Sequence, residues 1–239
     1  MSGVLYLIID EIKYRDYAYA SIFSLRKSGY AGQITCLTNI DLRFNELNVN
    51  VKAIDVVGNN VYERSRSIKT QLNIHTPYDK TLFLDCDTLV LQNVNDVFSI
   101  DGFSVAIDIR PLIGNLNVDD IKQSIDELDY TKLAIGNKAT YYSSSTILWD
   151  KADALFENWN MEWNKFKKLD QMALARAINN KHNITIMDKK YNFPSDLADS
   201  YHDALNNGAK IFAVWGPNRD KKVLQYAKEN NFWDSLESI

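Results

Sequence analysis

A short hydrophobic run that ends abruptly in two carboxylates constrains this chain most. Thr81-Leu82-Phe83-Leu84 has strand character and is followed directly by Asp85-Cys86-Asp87. Side chains alternate along an extended segment, so Asp85 and Asp87 are expected to point the same way. Two carboxylates at the end of a buried strand repel each other unless hydrogen-bond donors or a cation compensate them, and a divalent metal ion does so most simply. The pair therefore predicts a metal site beyond the carboxyl end of a strand in an open α/β sheet.

The composition is that of an ordinary globular protein. The 239 residues are 46% hydrophobic and 24% charged, enough for one large α/β domain or two small ones. A net charge of −4 shows no basic excess, which argues against a general nucleic-acid binder. The apolar run Val4–Ile9 is too short for a signal peptide or a membrane span. Cys36 and Cys86 both fall in predicted buried strands, which favours a reducing compartment and a cytoplasmic location.

Strand-like and helix-like segments alternate along the chain. This order predicts an α/β fold with a mostly parallel, twisted sheet flanked by helices. We interpret residues 1–239 as a single domain, with a nucleotide-binding half at about 1–108 and an acceptor-side half at about 109–239. The predicted strands are Val4–Ile9, Ile34–Thr38, Val51–Val57, Thr81–Leu84, Ser104–Ile107, Thr140–Leu148, Ile184–Met187 and Ile211–Val214. The predicted helices are Tyr17–Lys27, Arg64–Asn73, Val118–Tyr130, Lys151–Phe166, Asp170–Asn179 and Lys222–Asn230.

The segment LFLDCDTLVLQNVNDVF around the acidic pair resembles the metal-site segment of family 8 retaining glycosyltransferases of the glycogenin type, which have the GT-A fold. Lys69 lies sixteen residues before Asp85, where that family carries a lysine near the sugar nucleotide. Asp108 matches a family aspartate near the donor sugar. The resemblance covers roughly residues 4 to 222 and is strongest from Lys69 to Asp108.

Further positions fit the resemblance more loosely. The run YYSSSTILW (Tyr141–Trp149) resembles the family's Asn-Ser-Gly-Val strand, and Asp170-Gln171 matches its Asp-Gln pair. Tyr191-Asn192 matches a late Tyr-Asn, and Tyr14 falls where an aromatic residue meets the nucleobase. The resemblance thus implies a single-domain transferase that moves a hexose from a UDP-sugar to a hydroxyl acceptor, with Mn²⁺ or Mg²⁺ as cofactor.

Two positions depart from the family pattern. The family has a metal-binding histidine three residues before a late glycine; Gly216 matches the glycine, but position 213 is alanine. Asp199, His202 and Asp203 are sequence-level candidates for the missing third ligand. Ser143 stands where the family has asparagine, so a hydroxyl replaces an amide in the contacts expected with the sugar.

The chemistry of sugar transfer gives these residues roles. A divalent ion bridging the diphosphate neutralises the leaving group as a Lewis acid, and Asp85 and Asp87 would bind the metal and the ribose between them, with Cys86 in the same segment. Cations would hold the phosphates, and for this role we expect Lys69, Arg66 one helical turn earlier, and Arg219 and Lys222 after Gly216. Asp170, Gln171 and Asp108 are expected at the reacting sugar, with Asp170 as nucleophile or charge stabiliser.

Other readings remain open at this stage. Asp85 and Asp87 could be a loop-starting pair with Asx-turn bonds, Lys69 a solvated helix residue and Asp108 a cap. The chain could be a sugar-nucleotide or glycan binding relative without turnover, which Ala213 and Ser143 favour. It could also be a haloacid-dehalogenase-type phosphatase, whose Asp-x-Asp opens a longer motif with a following glycine; Thr88 occupies that position here. The oligomeric state and the acceptor are left open.

Overall fold

The chain folds around a seven-stranded sheet with strand order β3-β2-β1-β4-β7-β6-β8. The computed structural model describes residues 1–117, 121, 124–179 and 182–236. The strands are β1 Ser2–Ile8, β2 Gln33–Thr38, β3 Asn50–Ala53, β4 Lys80–Leu84, β5 Thr88–Val90, β6 Ser104–Leu112, β7 Thr140–Asp150, β8 Thr185–Ile186, β9 Phe193–Pro194 and β10 Ile211–Ala213. The helices are α1 Lys13–Lys27, α2 Val61–Lys69, α3 Leu72–His75, α4 Ile125–Ile135, α5 Asp153–Asn164, α6 Asp170–Asn179, α7 Tyr201–Asn206 and α8 Arg219–Glu229.

The main sheet is mostly parallel, as the sequence predicts. Strands β3, β2, β1 and β4 pair in parallel, and β6 pairs in parallel with β8. Strand β7 runs antiparallel to both β4 and β6. A small second sheet has the order β5-β10-β9. The α/β fold class is therefore confirmed.

Each face of the main sheet carries its own hydrophobic core because side chains alternate along each strand. On β1, Val4, Tyr6 and Ile8 join the core formed with α1, α8 and the small sheet. Leu5 and Leu7 join the other core, formed with α5 and α6. Both faces of the parallel sheet are thus covered, which explains why β1 reads as an unbroken apolar run in the sequence.

The antiparallel strand β7 brings distant residues to the end of β4. The backbone N–H of Asp85 donates to the carbonyl of Ser145 at 2.8 Å, so the middle of β7 lies beside the point where β4 ends. On the far side of β7, Ile107 of β6 pairs with Tyr142. Three neighbouring strands therefore position these residues: Asp85 follows β4, the serines lie on β7 and Asp108 lies on β6.

Helix α2 begins earlier than the sequence indicates and ends before the expected end. The side chain of Asn60 accepts a hydrogen bond from the N–H of Glu63, and Glu63 accepts one in return from the N–H of Asn59 at 2.9 Å. This reciprocal cap starts the helix at Val61 instead of Arg64. The predicted helix Arg64–Asn73 is also interrupted after Lys69, and α3 follows as a separate short helix.

Other predicted boundaries are corrected by pairing. The predicted strand Val51–Val57 stops at Ala53 because Ala53 pairs with Thr38, the last residue of β2. Strand β6 does not end before Asp108 but continues to Leu112, so Asp108 lies inside a strand with shifted register. Cys86 is buried but lies in the turn between β4 and β5 and not in a strand.

The predicted helix Val118–Tyr130 is partly wrong. Residues 118–120, 122 and 123 lie outside the described residues, and the helix that the structure does describe, α4, runs from Ile125 to Ile135. It ends at Gly136, which has a positive φ of 85° that favours glycine. Helix α7 and strand β9 have no counterpart in the sequence prediction. No helix among the described residues combines the length and apolarity needed to span a membrane.

Candidate active site

A cleft of about 420 Å³ lies at the carboxyl end of β4. Residues of β6 and β7 line it as well. Such a volume suits a small-molecule ligand. Of the residues that the sequence singles out, the following line it: Tyr14, Arg66, Lys69, Asp85, Cys86, Asp87, Asp108, Ser143, Asp170 and Gln171. Two more lie next to it, since Gly216 follows the lining residue Trp215 and Arg219 contacts Asp87.

Lys69 and Asp85 form the central ion pair of this cleft. The Lys69 Nζ atom lies 2.8 Å from Oδ1 and 2.9 Å from Oδ2 of Asp85. Burial raises the pKa of Asp85 to about 6; Lys69 opposes this shift and the nearby Asp87 carboxylate adds to it. Burial alone would lower the pKa of Lys69, but Asp85 and Asp170 outweigh it and raise that pKa. The lysine is therefore a charged cleft residue and not a solvated one.

Asp87 has a cation of its own, Arg219, the first residue of α8. Arg219 Nη1 lies 3.2 Å from Asp87 Oδ2, and its guanidinium carbon lies 4.4 Å from the centre of the Tyr17 ring and 5.6 Å from that of Tyr14. Burial raises the pKa of Asp87, and Arg219 counteracts that rise. Both carboxylates of the Asp-Cys-Asp segment thus bind cations of the chain, and neither depends on an Asx turn.

Asp170 is the first residue of α6 and meets a group of donors. Its carboxylate lies 3.5 Å from Lys69 Nζ and 3.3 Å from Arg66 Nε. The hydroxyl of Ser144 donates to Oδ2 at 2.6 Å, and the indole N–H of Trp159 donates to the backbone carbonyl at 2.8 Å. Burial would raise the pKa of Asp170, but Lys69, Arg66 and Ser144 together lower it. The cleft therefore presents a fixed, ionised carboxylate.

Asp108 and Gln171 lie together in the cleft. Gln171 Nε2 donates to Asp108 Oδ2 at 3.3 Å and to the carbonyl of Tyr142 at 2.9 Å. The N–H of Arg110 donates to Asp108 Oδ1 at 2.9 Å, and its Nε lies 3.3 Å from the same oxygen. These contacts orient the Gln171 amide in the cleft beside Asp170.

The side chains of Ser143 and Ser145 point to one face of β7, and that of Ser144 points to the other. Ser143 and Ser145 share a hydrogen bond of 2.9 Å between their hydroxyls, and Ser145 donates to Asn192 Oδ1 at 2.9 Å. Ser144 points the other way, to Asp170. Tyr191-Asn192 is thus connected to the cleft through Ser145, and Ser143 stands where the family has an amide.

The charged groups that the structure describes in and beside this cleft leave no positive surplus. Four carboxylates, those of Asp85, Asp87, Asp108 and Asp170, pair with four cations, those of Lys69, Arg219, Arg110 and Arg66. A fifth lining carboxylate, that of Glu11, pairs with Lys13, which lies outside the lining. A diphosphate would therefore enter a site without surplus positive charge. A divalent cation would restore the balance.

Asp85 and Asp87 suit a divalent cation that the ligand helps to bind. Within the described ranges there is no group of three His, Cys, Asp or Glu residues arranged to hold a metal. Magnesium is commonly bound by one or two carboxylates together with substrate phosphates and water, and these two carboxylates match that pattern. The residues present fit a metal that is shared with a diphosphate.

The candidates for a third protein ligand lie elsewhere. His202 Nε2 is 2.6 Å from Glu229, and Asp203 accepts a hydrogen bond from the N–H of Asp199 at 3.2 Å, all at α7. None of the three lines the cleft. Ala213 is buried in β10, where it pairs with Thr88.

Two further expectations are corrected by contacts. Lys222 does not reach the cleft, because its Nζ donates to the carbonyls of Ser195 and Ala198 at 2.9 and 2.8 Å. Cys86 lines the cleft, but its thiol donates to the Leu7 carbonyl at 3.2 Å, and burial raises its pKa well above the usual value. A neutral thiol of this kind is a packing group.

The lining residues that sequence reasoning did not single out include Ser144, Arg110, Tyr62 and Trp215. Alternation along β7 could have placed Ser144 opposite its serine neighbours. No sequence pattern marks Arg110, because β6 was expected to end before it. Tyr62 precedes the predicted start of its helix.

Comparisons with known proteins agree with this fold. No family model matches the chain. Over 125 residues it is 32% identical to Glycogenin-1 of Caenorhabditis elegans, a match that covers 46% of this chain and 29% of the relative. The chain thus spans less than a third of the length of this curated relative.

Solved glycosyltransferases share its fold over most of its length. A structure of the bifunctional glycosyltransferase WbbM aligns with a TM-score of 0.68 and 16% identity, covering 98% of this chain and 51% of that one. The galactosyltransferase LgtC, in complex with donor and acceptor sugar analogues, aligns with a TM-score of 0.63 and 14% identity over 99% and 97% of the two chains. Mouse xyloside xylosyltransferase 1 aligns at 0.56 with 11% identity, over 89% and 97%. The chain therefore has the GT-A fold of these enzymes.

Proposed function

We propose that this protein is a glycosyltransferase that moves a hexose from a nucleotide diphosphate sugar, a UDP-sugar, to a hydroxyl acceptor in a metal-dependent reaction. The observation that carries the proposal is the meeting of Lys69, Asp85 and Asp170 in one cleft of a GT-A fold. The first two suit a metal-bound diphosphate and the third suits the developing positive charge of a sugar. Retention of configuration is part of this proposal only because the family resemblance implies it.

The lack of surplus positive charge among the described residues of the cleft supports metal dependence. When bound at Asp85 and Asp87, Mn²⁺ or Mg²⁺ would act as a Lewis acid that offsets the charge of the departing diphosphate. Lys69 and Arg219 already contact these two carboxylates and are the nearest side-chain cations for the phosphate oxygens. Arg219 also covers Tyr14, the proposed contact of the nucleobase.

The reacting sugar would lie against Asp170 and Gln171. Ser144, Arg66 and Lys69 keep the Asp170 carboxylate ionised and fixed, so it is able to stabilise an oxocarbenium-like carbon or attack it. Gln171 and Asp108 offer hydrogen-bond partners to sugar hydroxyls.

We further propose that residues 1–239 act as one domain, with the donor half at about 1–108, and that the protein works in the cytoplasm. One alternative remains supported by a specific observation. Ala213 stands in place of a metal-binding histidine, as expected for a relative that binds sugar nucleotides without turnover. The phosphatase alternative is not carried forward because the fold is that of glycosyltransferases.

A screen of nucleotide sugars tests the proposal. Purified protein is incubated with UDP-, GDP- and ADP-sugars in Mn²⁺, Mg²⁺ or chelator, and nucleotide release and binding are both measured. We expect metal-dependent release of UDP from one donor, lost in Asp87→Ala. Asp101→Ala is the matched control because Asp101 is an exposed aspartate paired with Lys80. Binding without release in the presence of diverse hydroxyl acceptors would favour the non-enzymatic alternative, and absence of binding would contradict both.

A further inference from the structure

Trp215 is an aromatic residue that lines the cleft and is not part of a hydrophobic core among the described residues. Its side chain is half-buried and lines the cleft. It belongs to none of the hydrophobic clusters that the described residues form, whereas Trp149, Trp159 and Trp163 are all core residues. Within the described part of the chain no other ring and no cation stacks on its indole. The ring is therefore placed in the cleft without a packing role.

One hydrogen bond binds the indole of Trp215, and two more hold its backbone. The Ser195 hydroxyl accepts from the Trp215 N–H at 3.3 Å and donates to the Trp215 carbonyl at 3.2 Å. The indole Nε1 donates to Asp196 Oδ1 at 3.3 Å. Lys222 in turn holds the Ser195 and Ala198 carbonyls. A flat apolar surface is thus set in place before any ligand arrives, which lowers the entropy cost of binding.

Tyr62 offers a second aromatic surface in the same cleft. It lies in the first turn of α2, is 64% exposed, and has the Arg66 guanidinium 5.4 Å from its ring centre. Exposed aromatic side chains in a polar cleft are typical of binding surfaces. Tyr62 and Trp215 are far apart in sequence, and both line this cleft.

We propose that Trp215 is the platform for the acceptor and that the acceptor is an uncharged pyranoside. This inference rests on the proposed function. The C–H bonds of one pyranose face are weakly positive and pack on the negative face of an aromatic ring, while the hydroxyls remain available to polar groups. The cleft supplies such groups in Ser65, Glu11 and Gln171. Glu11 lines the cleft together with four aspartates, so an anionic acceptor would be repelled.

Asp196 is a positioning residue in this scheme, since it acts through the indole N–H. Asp196→Asn keeps an acceptor oxygen for that N–H, whereas Asp196→Ala removes it. If orientation of the indole matters, the asparagine variant retains the acceptor KM and the alanine variant raises it. An equal effect of both variants would indicate a role for the carboxylate charge instead.

The deciding experiment separates acceptor binding from donor binding. Methyl α- and β-pyranosides of glucose, galactose and mannose, with glycerol and N-acetylserine amide as non-sugar hydroxyls, are tested as acceptors for the donor found in the screen. We expect a pyranoside to be preferred, and Trp215→Ala to raise its KM about tenfold, with Trp215→Phe in between, while the donor KM changes less than twofold. Trp233→Ala is the matched control because Trp233 is another partly exposed tryptophan, outside the cleft lining. The same pyranoside is expected to change the indole fluorescence of the wild type and of Trp233→Phe but not of Trp215→Phe.

Three outcomes would overturn the inference. These are an unchanged acceptor KM in Trp215→Ala, an equal loss of donor and acceptor affinity, and a preference for a non-sugar hydroxyl. Each of them leaves donor cleavage by the wild type intact. Failure of the proposed function would instead show as absence of nucleotide binding in the wild type.

Discussion

Lys69 and Asp85 form an ion pair although they are sixteen residues apart in sequence. The lysine Nζ lies 2.8 Å from one carboxylate oxygen of Asp85 and 2.9 Å from the other. The same Nζ lies 3.5 Å from Asp170. One cation therefore connects the segment proposed to bind the metal with the carboxylate proposed to face the sugar. A ligand phosphate that attracts Lys69 would change the surroundings of both.

Removal of this cation should weaken donor binding strongly. In Lys69→Met, Asp85 and Asp170 face each other without their shared partner, and a diphosphate loses its nearest lysine. We expect kcat/KM for the donor to fall about 100-fold, the size of one or two charge-assisted hydrogen bonds. The fall is measured by steady-state kinetics with the donor identified in the screen.

The control for Lys69 is Lys80. Lys80 also pairs with two aspartates, Asp101 and Asp150, but does not line the active-site cleft. Lys80→Met should leave kcat/KM within about twofold, since its ion pairs lie near the surface. Wild-type kinetics in Lys69→Met would remove this residue from the site.

Metal binding should depend on the nucleotide. Asp85 and Asp87 are paired with Lys69 and Arg219, and no third protein ligand joins them among the described residues. A diphosphate would supply the missing oxygens and attract the two cations away. We expect the affinity for Mn²⁺, measured by electron paramagnetic resonance of the free ion, to rise at least about tenfold when UDP is present.

Asp87→Asn should remove this effect of UDP, whereas Asp101→Asn should preserve it. Tight stoichiometric binding of Mn²⁺ without nucleotide would show that the chain supplies a third ligand after all. Equal Mn²⁺ affinity with and without UDP would contradict a metal shared with the diphosphate.

Ser144 is expected to contribute through Asp170. Its hydroxyl donates to the ionised carboxylate at 2.6 Å, and such a bond is worth about 1.5–3 kcal/mol. Ser144→Ala should therefore lower kcat about 10- to 100-fold when measured well below the thermal midpoint, which the lost bond also lowers by several degrees. Ser143→Ala is the comparison, since Ser143 bonds Ser145 and not Asp170. Equal losses in both variants would mean that the strand, and not the Asp170 contact, matters.

The local features of this site could be predicted from the sequence. The apolar run before Asp85 marks a buried strand, and the spacing of Asp85 and Asp87 places both at its end. Lys69 was placed only through the family resemblance, because nothing in an isolated helix says which strand it faces. The structure shows the reason, which is that α2 lies beside the end of β4.

Non-local pairing accounts for what the sequence did not predict. Asp108 was expected at a strand end, but β7 extends the pairing of β6 to Leu112. Ser144 reaches Asp170 because antiparallel β7 brings its middle to the site, and three consecutive serines do not reveal that the middle one contacts a residue of α6. Lys222 was expected at the phosphates, but its Nζ donates to the carbonyls of Ser195 and Ala198. The position of that segment depends on tertiary contacts and could not be predicted from the sequence.

The burial of Arg176 could not be predicted from the sequence either, because an arginine in the middle of a helix normally faces solvent. Arg176 is 1% exposed and binds two buried carboxylates, Glu127 at 3.0 Å and Glu162 at 2.9 Å. Glu127 also accepts the N–H of Leu169 at 3.0 Å, the residue before Asp170. The network therefore anchors α4 and α5 to α6 directly behind the active site.

Arg176→Met should destabilise the protein by about 3–5 kcal/mol, because it leaves two carboxylates buried without their partner. The thermal midpoint would fall by about 10 °C. Lys165→Met is the matched control, since Lys165 pairs with the same Glu162 from a partly exposed position and its loss should cost less than about 1 kcal/mol.

The loss in Arg176→Met should also depend on pH. Burial raises the pKa of Glu127 above its ordinary 4.5, and Arg176 opposes that rise. A raised carboxyl pKa in the folded state means that stability is greatest below the unfolded pKa and is lost as pH rises through the folded one. Without the guanidinium the folded pKa rises further, so the gap in midpoint between wild type and variant should be smaller near about pH 5 than near about pH 8. A gap that is constant or grows on acidification would show that lost packing, and not an unpaired charge, causes the destabilisation.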